Sequence, residues 1–278
     1  VSHPARGDLL AVADRARNGT FEALAGPHSY DAAAATGFRQ AAVLALFTPT
    51  AQRTGAGPLA VDQSVTVGTE SVTAAGQPAA AIDADDGAAR RERASAPSEA
   101  LLDTDVFLVQ RSPLLRHHPG QIALPGGSID PGDDGPVAAA LRETEEETGI
   151  SADQVEVLGE LPPVLVPVSS FVVTPVLAWA PSVRAGRVLD TAEVLHTLRA
   201  PVDELLDPAA RATVWIGGHG SSGFRVPTGW VWGFTGNLLD HLFTALGWTR
   251  DWDSSVRHTM SWDEARGAQL LGHVPSPD

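Results

Sequence analysis

The chain has 278 residues, with 34 acidic side chains against 19 basic ones and a formal charge of −15, a balance that argues against a broad phosphate-backbone binding face and so against a nucleic-acid partner. It contains no cysteine, and every basic residue is arginine, which excludes disulfide scaffolds, thiolate metal sites, cysteine nucleophiles, Schiff-base lysines and a lysine P-loop. A hydrophobic share of 43% is ordinary for a globular chain of one large domain or two small ones.

Residues 8–17 (DLLAVADRAR) read as a short amphipathic helix within an N-terminal helical segment, 1–36, and Arg39–Phe47 as a helix end or a buried strand. From Thr48 to Ala100 small and polar residues dominate and aromatics vanish. Such a segment buries too little apolar surface to offset its ordering entropy, so 48–100 is expected to be a mostly disordered insertion, with Leu59–Val67 as a candidate strand. Dense patterning resumes at Asp105 and runs to about Gly247, leaving 248–278 as a C-terminal extension. All 7 tryptophans lie beyond residue 178, which places much of the C-terminal half in a packed core. Residues 161–183 carry no charge and are long enough to cross a bilayer. Five prolines (162, 163, 167, 175 and 181) interrupt them, so short core strands are the better reading. The first residues, with Asp8 and Asp14 among them, lack the apolar stretch of a secretory signal. A soluble, cytoplasmic protein without a membrane partner is expected.

Between 105 and 150 the sequence is most informative. Val106–Val109, followed by Gln110 and Arg111, reads as a strand, and LRHHPGQIALPGG (115–127) as a loop or short strand ending in a Pro-Gly-Gly turn. VAAALRETEEETGI (137–150) reads as a helix capped by Asp133 or Asp134, with Pro136 in its first turn and Gly149 just past its end. Glu143, Glu146 and Glu147 stand at i, i+3 and i+4, within an arc of about 100°. A solvated acidic face is the ordinary meaning of such a cluster. Here Arg142 is the only cation within a turn, and a hard divalent ion, Mg²⁺ or Mn²⁺, would relieve the repulsion through oxygen ligands.

The stretch GGSIDPGDDGPVAAALRETEEETGI (126–150) resembles the Nudix box of the Nudix hydrolases, G-x5-E-x7-R-E-U-x-E-E-x-G-U. Gly127, Arg142, Glu143, Glu146, Glu147, Gly149 and Ile150 fall on the pattern. It departs in three ways: Thr144 stands at an aliphatic position, aspartate replaces the first glutamate, and one residue is added. Asp133 keeps the distance from Gly127, while Asp134 keeps the distance to Arg142. The preceding FLVQRSPLLRHHPGQIALPGG (107–127) is similar to the signature of coenzyme A pyrophosphatases in this superfamily, matching at Arg111, Ser112, Arg116, Gly120, Pro125, Gly126 and Gly127. The segments 158–179 and 231–242 resemble that subfamily's later strands and final helix.

The resemblance implies a Nudix-type α/β/α sandwich, with a mixed β-sheet between helices, over about 37–247. It implies metal-assisted attack of water on a nucleoside diphosphate linkage, in coenzyme A or its thioesters. Glu143, Glu146 and Glu147, with the Gly127 carbonyl, would be the metal ligands, and Arg142 would orient a glutamate. Glu147 or a later loop acid, with Glu193 as the candidate, would be the base. Arg111 and Arg116 would grip phosphate, and Ser112 and Gly126 belong to the same substrate-binding signature. A homodimer is compatible with the resemblance. Other nucleoside diphosphate substrates (ADP-ribose, NADH, a nucleotide sugar) and an inactive Nudix-fold binding module are the alternatives. Four further features have structural readings of their own. His117 and His118, adjacent on an extended segment, point apart and are poor joint chelators. Ser169–Phe171 fit a pocket or a core loop equally. Trp230 and Trp232 fit one face of a buried strand better than an adenine stack. The apolar residues of Gly236–Gly247 recur at helical spacing, which makes that helix core.

Overall fold

The computed structural model describes residues 3–50, 103–183, 188 and 192–273. Helix α1 (Pro4–Arg17) leads through a loop to strand β1 (Arg39–Pro49), whose run of alanine, valine, leucine and phenylalanine is buried on both faces. Such two-sided burial is what a near-continuous apolar strand predicts. Strand β2 (Thr104–Arg111), the short β3 (Ile122–Ala123) and β4 (Gly126–Ser128) precede helix α2 (Gly135–Thr148). Then come β5 (Glu156–Glu160), β6 (Val164–Val166), β7 (Phe171–Trp179) and β8 (Val194–Pro201). The apolar run at 161–183 thus holds two strands, β6 and β7, joined by a 3₁₀ turn that begins at Pro167. Among the described residues no helix is long and apolar enough to cross a membrane.

These strands form one mixed sheet ordered β3-β2-β1-β7-β5, with β4 also on β1, β6 on β7 and β8 on β2. β1 and β7 are parallel, pairing from Arg39↔Phe171 to Phe47↔Trp179, and their neighbours are antiparallel. The period-2 alternation of β1 decides which layer each side chain joins. Ala42, Leu44 and Leu46 face α2, packing with Ala139, Ala140 and Ile150. Ala45 and Phe47 face the other layer, against Leu9 and Val12 of α1 and Leu239 and Phe243 of helix α4 (Gly233–Leu246), which follows a short α3 (Val202–Leu205). Each such large buried side chain contributes about 1.5–3 kcal/mol. Helices therefore cover both faces of a mixed sheet, the expected α/β/α sandwich.

A second sheet, β11-β10-β9-β12, is built from β9 (Arg211–Ile216), β10 (His219–Val226), β11 (Gly229–Val231) and β12 (Arg257–Thr259). The described residues end in α5 (Trp262–Ala265) and a 3₁₀ turn. Trp248, beyond the last residue expected in the Nudix unit, is buried against Phe47 and Phe243 and donates its indole N–H to Asp8. Residues at both ends of the chain thus share the core of the sandwich.

Several local expectations change. Thr48 and Pro49 complete β1, because Thr48↔Asp105 and Pro49↔Thr104 still pair with β2; residues 51–100, including the candidate strand Leu59–Val67, lie outside the described residues. The Pro-Gly-Gly sequence leads into a strand instead of a turn, since Gly126 and Gly127 pair with Val43 and Ala42. Tryptophans are not uniformly core: Trp179 and Trp248 are buried, but Trp262 is 63% exposed.

Candidate active site

Strand β4 and helix α2 build the site. At Gly126 a Cβ would collide with the Ala42 carbonyl oxygen, and at Gly127 it would lie 2.5 Å from the carboxyl carbon of Glu143. Two glycines therefore let β4 lie flush on β1 while the helix lowers its carboxylates onto the strand. The register Ala42↔Gly127, with Ile129 N–H on Gln40 O and Leu44 N–H on Pro125 O, places Gly127 in a hydrogen-bonded ladder pair. Gly126, in the alternate position, turns its N–H outward and donates to Glu147 Oε2 at 3.2 Å.

Glu147 is 3% exposed, and its one close cation among the described residues is Arg111, 3.7 Å away at the end of β2. Burial pushes its carboxyl up to about 7; the Gly126 N–H and Arg111 pull the other way, and the charges of Glu143 and Glu193 push it further up. Glu143 is also raised, chiefly by burial, with Arg142 opposing and Glu146 and Glu193 adding to the rise.

Arg142 ties the outer side together. Its Nε and Nη2 grip both oxygens of Asp133 at 3.0 Å, and Nη2 also reaches Ser128 O. Its Nη1 donates to Glu143 at 3.0 Å and Glu146 at 3.1 Å. Asp133 holds the guanidinium most strongly and raises its pKa, and Arg142 in turn depresses that of Asp133. This fork settles the extra residue in the box: Asp133 engages Arg142, while Asp134 stands at the helix N-cap with no side-chain cap bond. Thr144 fits its aliphatic position because its hydroxyl donates to Ala140 O at 2.7 Å, which leaves the methyl for the core.

The three glutamates share a helix face, yet their carboxylates do not converge. Among the described residues no three of His, Asp and Glu are gathered closely enough to cage a metal ion. Arg142 draws Glu143 and the exposed Glu146 outward, whereas the Gly126 N–H holds Glu147 inward. The donor chemistry still fits a hard divalent cation. The donors are all oxygen, and burial, with the charges of neighbouring glutamates adding to it, disfavours the ionised forms of Glu143 and Glu147, a cost that a bound cation would offset.

A family model described as the NUDIX domain matches residues 93–214. Two curated relatives, both named uncharacterized Nudix hydrolase NudL, come from Klebsiella pneumoniae and Citrobacter koseri. They are 39% and 38% identical to this chain over 147 residues, covering 51% of it and 75% of each relative. The chain belongs to the Nudix hydrolases. The solved structures matched include a C. elegans Ap4A hydrolase complex (16% identity, TM-score 0.34, 59% of this chain and 81% of that one). Another is the Nudix domain of Shewanella oneidensis NrtR with ADP ribose (20% identity, TM-score 0.35, 64% and 82%). Likeness this distant says nothing of substrate. Nudix hydrolases as a family use divalent metal ions.

In this Nudix hydrolase the remaining expected residues fall into two groups. Glu193, exposed just ahead of β8, is brought beside the carboxylates by the β2–β8 pairing, Arg111↔Val194. No local sequence signal marks it. Ser112 is 1% exposed, and its contacts are those of a turn former. Its N–H donates to Glu193 O, its carbonyl accepts from Leu115 and Gly120, and its hydroxyl accepts from Leu114 N–H. Arg116 and His117 are exposed on the same loop. His118 is partly buried at φ 52°, with Nδ1 3.2 Å from Gln121, and burial and the nearby Arg111 lower its pKa. Ser169 and Ser170 form the turn before β7, Ser170 at φ 56°, with Val168 projecting into solvent. Trp230 stacks on His258 at 4.8 Å and packs with Trp232 around Val214 and Met260, so that face is occupied by the protein itself.

Proposed function

We propose that the protein hydrolyses the diphosphate of coenzyme A or an acyl-coenzyme A, giving 3′,5′-ADP and a 4′-phosphopantetheine compound. One observation carries the reading. Buried Glu147, on the Nudix helix, meets both Gly126 of the P-G-G segment and Arg111 of the upstream signature. Arg111 and Gly126, which lie 36 and 21 residues before Glu147 in sequence, thus converge on one carboxylate.

In this mechanism Glu143, Glu146 and Glu147 would hold Mg²⁺ or Mn²⁺; the Gly127 carbonyl, expected to join them, faces Ala42 in the strand ladder and is left out of the ligand set. A bound ion would neutralise charge at the diphosphate and lower the pKa of the attacking water. Arg142 fixes Glu143 and Glu146 while Asp133 fixes Arg142. Arg111 and Arg116 bind the substrate phosphates, for which a guanidinium fork is suited. Glu193, exposed beside the cluster, takes the proton of the water as its oxygen bonds to phosphorus. The bridging P–O bond breaks, and the second phosphate departs with its half of the molecule. Residues 37–247 are the Nudix unit on this reading, and a cytoplasmic homodimer its setting.

The test is hydrolysis of coenzyme A with Mg²⁺ or Mn²⁺ and mass-spectrometric identification of products, run beside ADP-ribose, NADH and a nucleotide sugar. Phosphopantetheine with 3′,5′-ADP is expected. Cleavage of another substrate alone would displace coenzyme A, and no cleavage of any would leave a binding module.

A further inference from the structure

The C-terminal segment lies outside the residues that resemble the coenzyme A pyrophosphatases, yet it touches the loop that carries their signature. Gly120 and Gly267, both left-handed at φ 69° and 68°, meet backbone to backbone. A Cβ on Gly120 would lie 2.5 Å from Gly267 Cα, and one on Gly267 would lie 2.7 Å from Gly120 Cα. Gly267 is buried and held from its own side. Its N–H donates to Glu264 O at 2.9 Å, its carbonyl accepts from Leu270 N–H at 2.8 Å, and the buried Leu270 side chain rests on it. Ser261 caps α5 through Glu264 N–H, and Met260 N–H bonds Trp215 O, which anchors the segment to β9.

On the loop side the contact passes to the site in two hydrogen bonds. Gly120 N–H donates to Ser112 O at 3.3 Å, and Ser112 N–H donates to Glu193 O at 2.8 Å. Arg111, beside Ser112, closes the loop by donating its N–H to Gln121 O at 2.9 Å. We infer that the C-terminal segment 261–273 is a latch for the substrate side of the site, with Gly267 as a positioning residue that sets the 112–121 loop, and through it Arg111 and Arg116, against the metal helix. This rests on the proposed function, under which those arginines bind phosphate. The metal ligands on α2 are outside the latch.

Gly267→Ala tests it. The new methyl must move the Gly120 backbone by about 1 Å to reach ordinary contact, a displacement able to cost on the order of 100-fold at a site. A rise in KM of about tenfold or more is expected, with kcat within about threefold and the metal concentration for half-maximal rate unchanged. Amide hydrogen exchange over 112–121 should accelerate, while that of 135–148 stays as in wild type; this readout needs no activity, so it separates failure of the latch from failure of the functional reading. Leu270→Ala, which loosens the segment and keeps both glycines, should shift both readouts in the same direction by less, and it serves if Gly267→Ala does not fold. Unchanged KM with unchanged exchange in 112–121 would overturn the inference, and so would a loss spread equally over KM, metal dependence and exchange in α2.

Discussion

Replacing Gly127 by alanine separates what the fold tolerates from what the chemistry tolerates. The backbone of Gly127 is extended and paired with Ala42, so alanine strains no dihedral there. The added Cβ would stand 2.5 Å from the Glu143 carboxyl carbon and 2.6 Å from each of its oxygens. Ordinary contact begins near 3.4 Å, so the carboxylate must retreat by about 1 Å. It is the free end of a flexible side chain, which makes the retreat cheap for stability, and alanine also restricts the unfolded chain by about 0.4–1 kcal/mol. Thermal melting should therefore change by only a few degrees. A ligand misplaced by about 1 Å costs on the order of 100-fold in rate, or about 2.7 kcal/mol of transition-state stabilisation. We expect kcat/KM to fall by about that factor, with a higher metal concentration needed for half-maximal rate. Wild-type kcat/KM and wild-type metal dependence in a folded Gly127→Ala protein would refute the reasoning, because Glu143 would then not need its place over the strand.

The other substitutions probe separate parts of the site and the core. Glu147→Gln keeps an oxygen acceptor for Gly126 N–H but removes a buried charge; hydrolysis should fall by about 1,000-fold or more while the melting temperature holds or rises, read by a rate assay beside a thermal melt. Arg142→Lys loses the fork to Asp133 along with the bonds to Glu143 and Glu146. Activity should drop about 10–100-fold, with a weakened metal response in the same titration. Arg211, buried between Phe224 and Trp252 and paired with Asp240, plays no part in the proposed chemistry. Because Asp240 is partly exposed and keeps Ser222 as a partner, Arg211→Met should cost about 2 kcal/mol, a few degrees of melting temperature, with kcat unchanged.

Two neighbouring carboxylates show what the tertiary environment adds. Glu146 and Glu147 are adjacent in sequence and equal in the motif, but Glu146 is exposed on Arg142 while Glu147 is 3% exposed beneath β4. Helical spacing predicts that both lie on one face of α2. It cannot say that β4 will cover one of them.

What is local in the chain was legible from the chain. The five prolines marked 161–183 as short strands, Gly149 closed α2, and the Arg142–Glu147 set named the helix that carries the acids, since each of these depends on residues within a turn or two. Gly120 against Gly267, Glu193 beside Glu147, and the choice of Asp133 over Asp134 as partner of Arg142 were decided only when the sheets packed. Those contacts join segments by strand pairing and backbone approach, forces that leave no periodic mark at either end, so only their coming together in space reveals them.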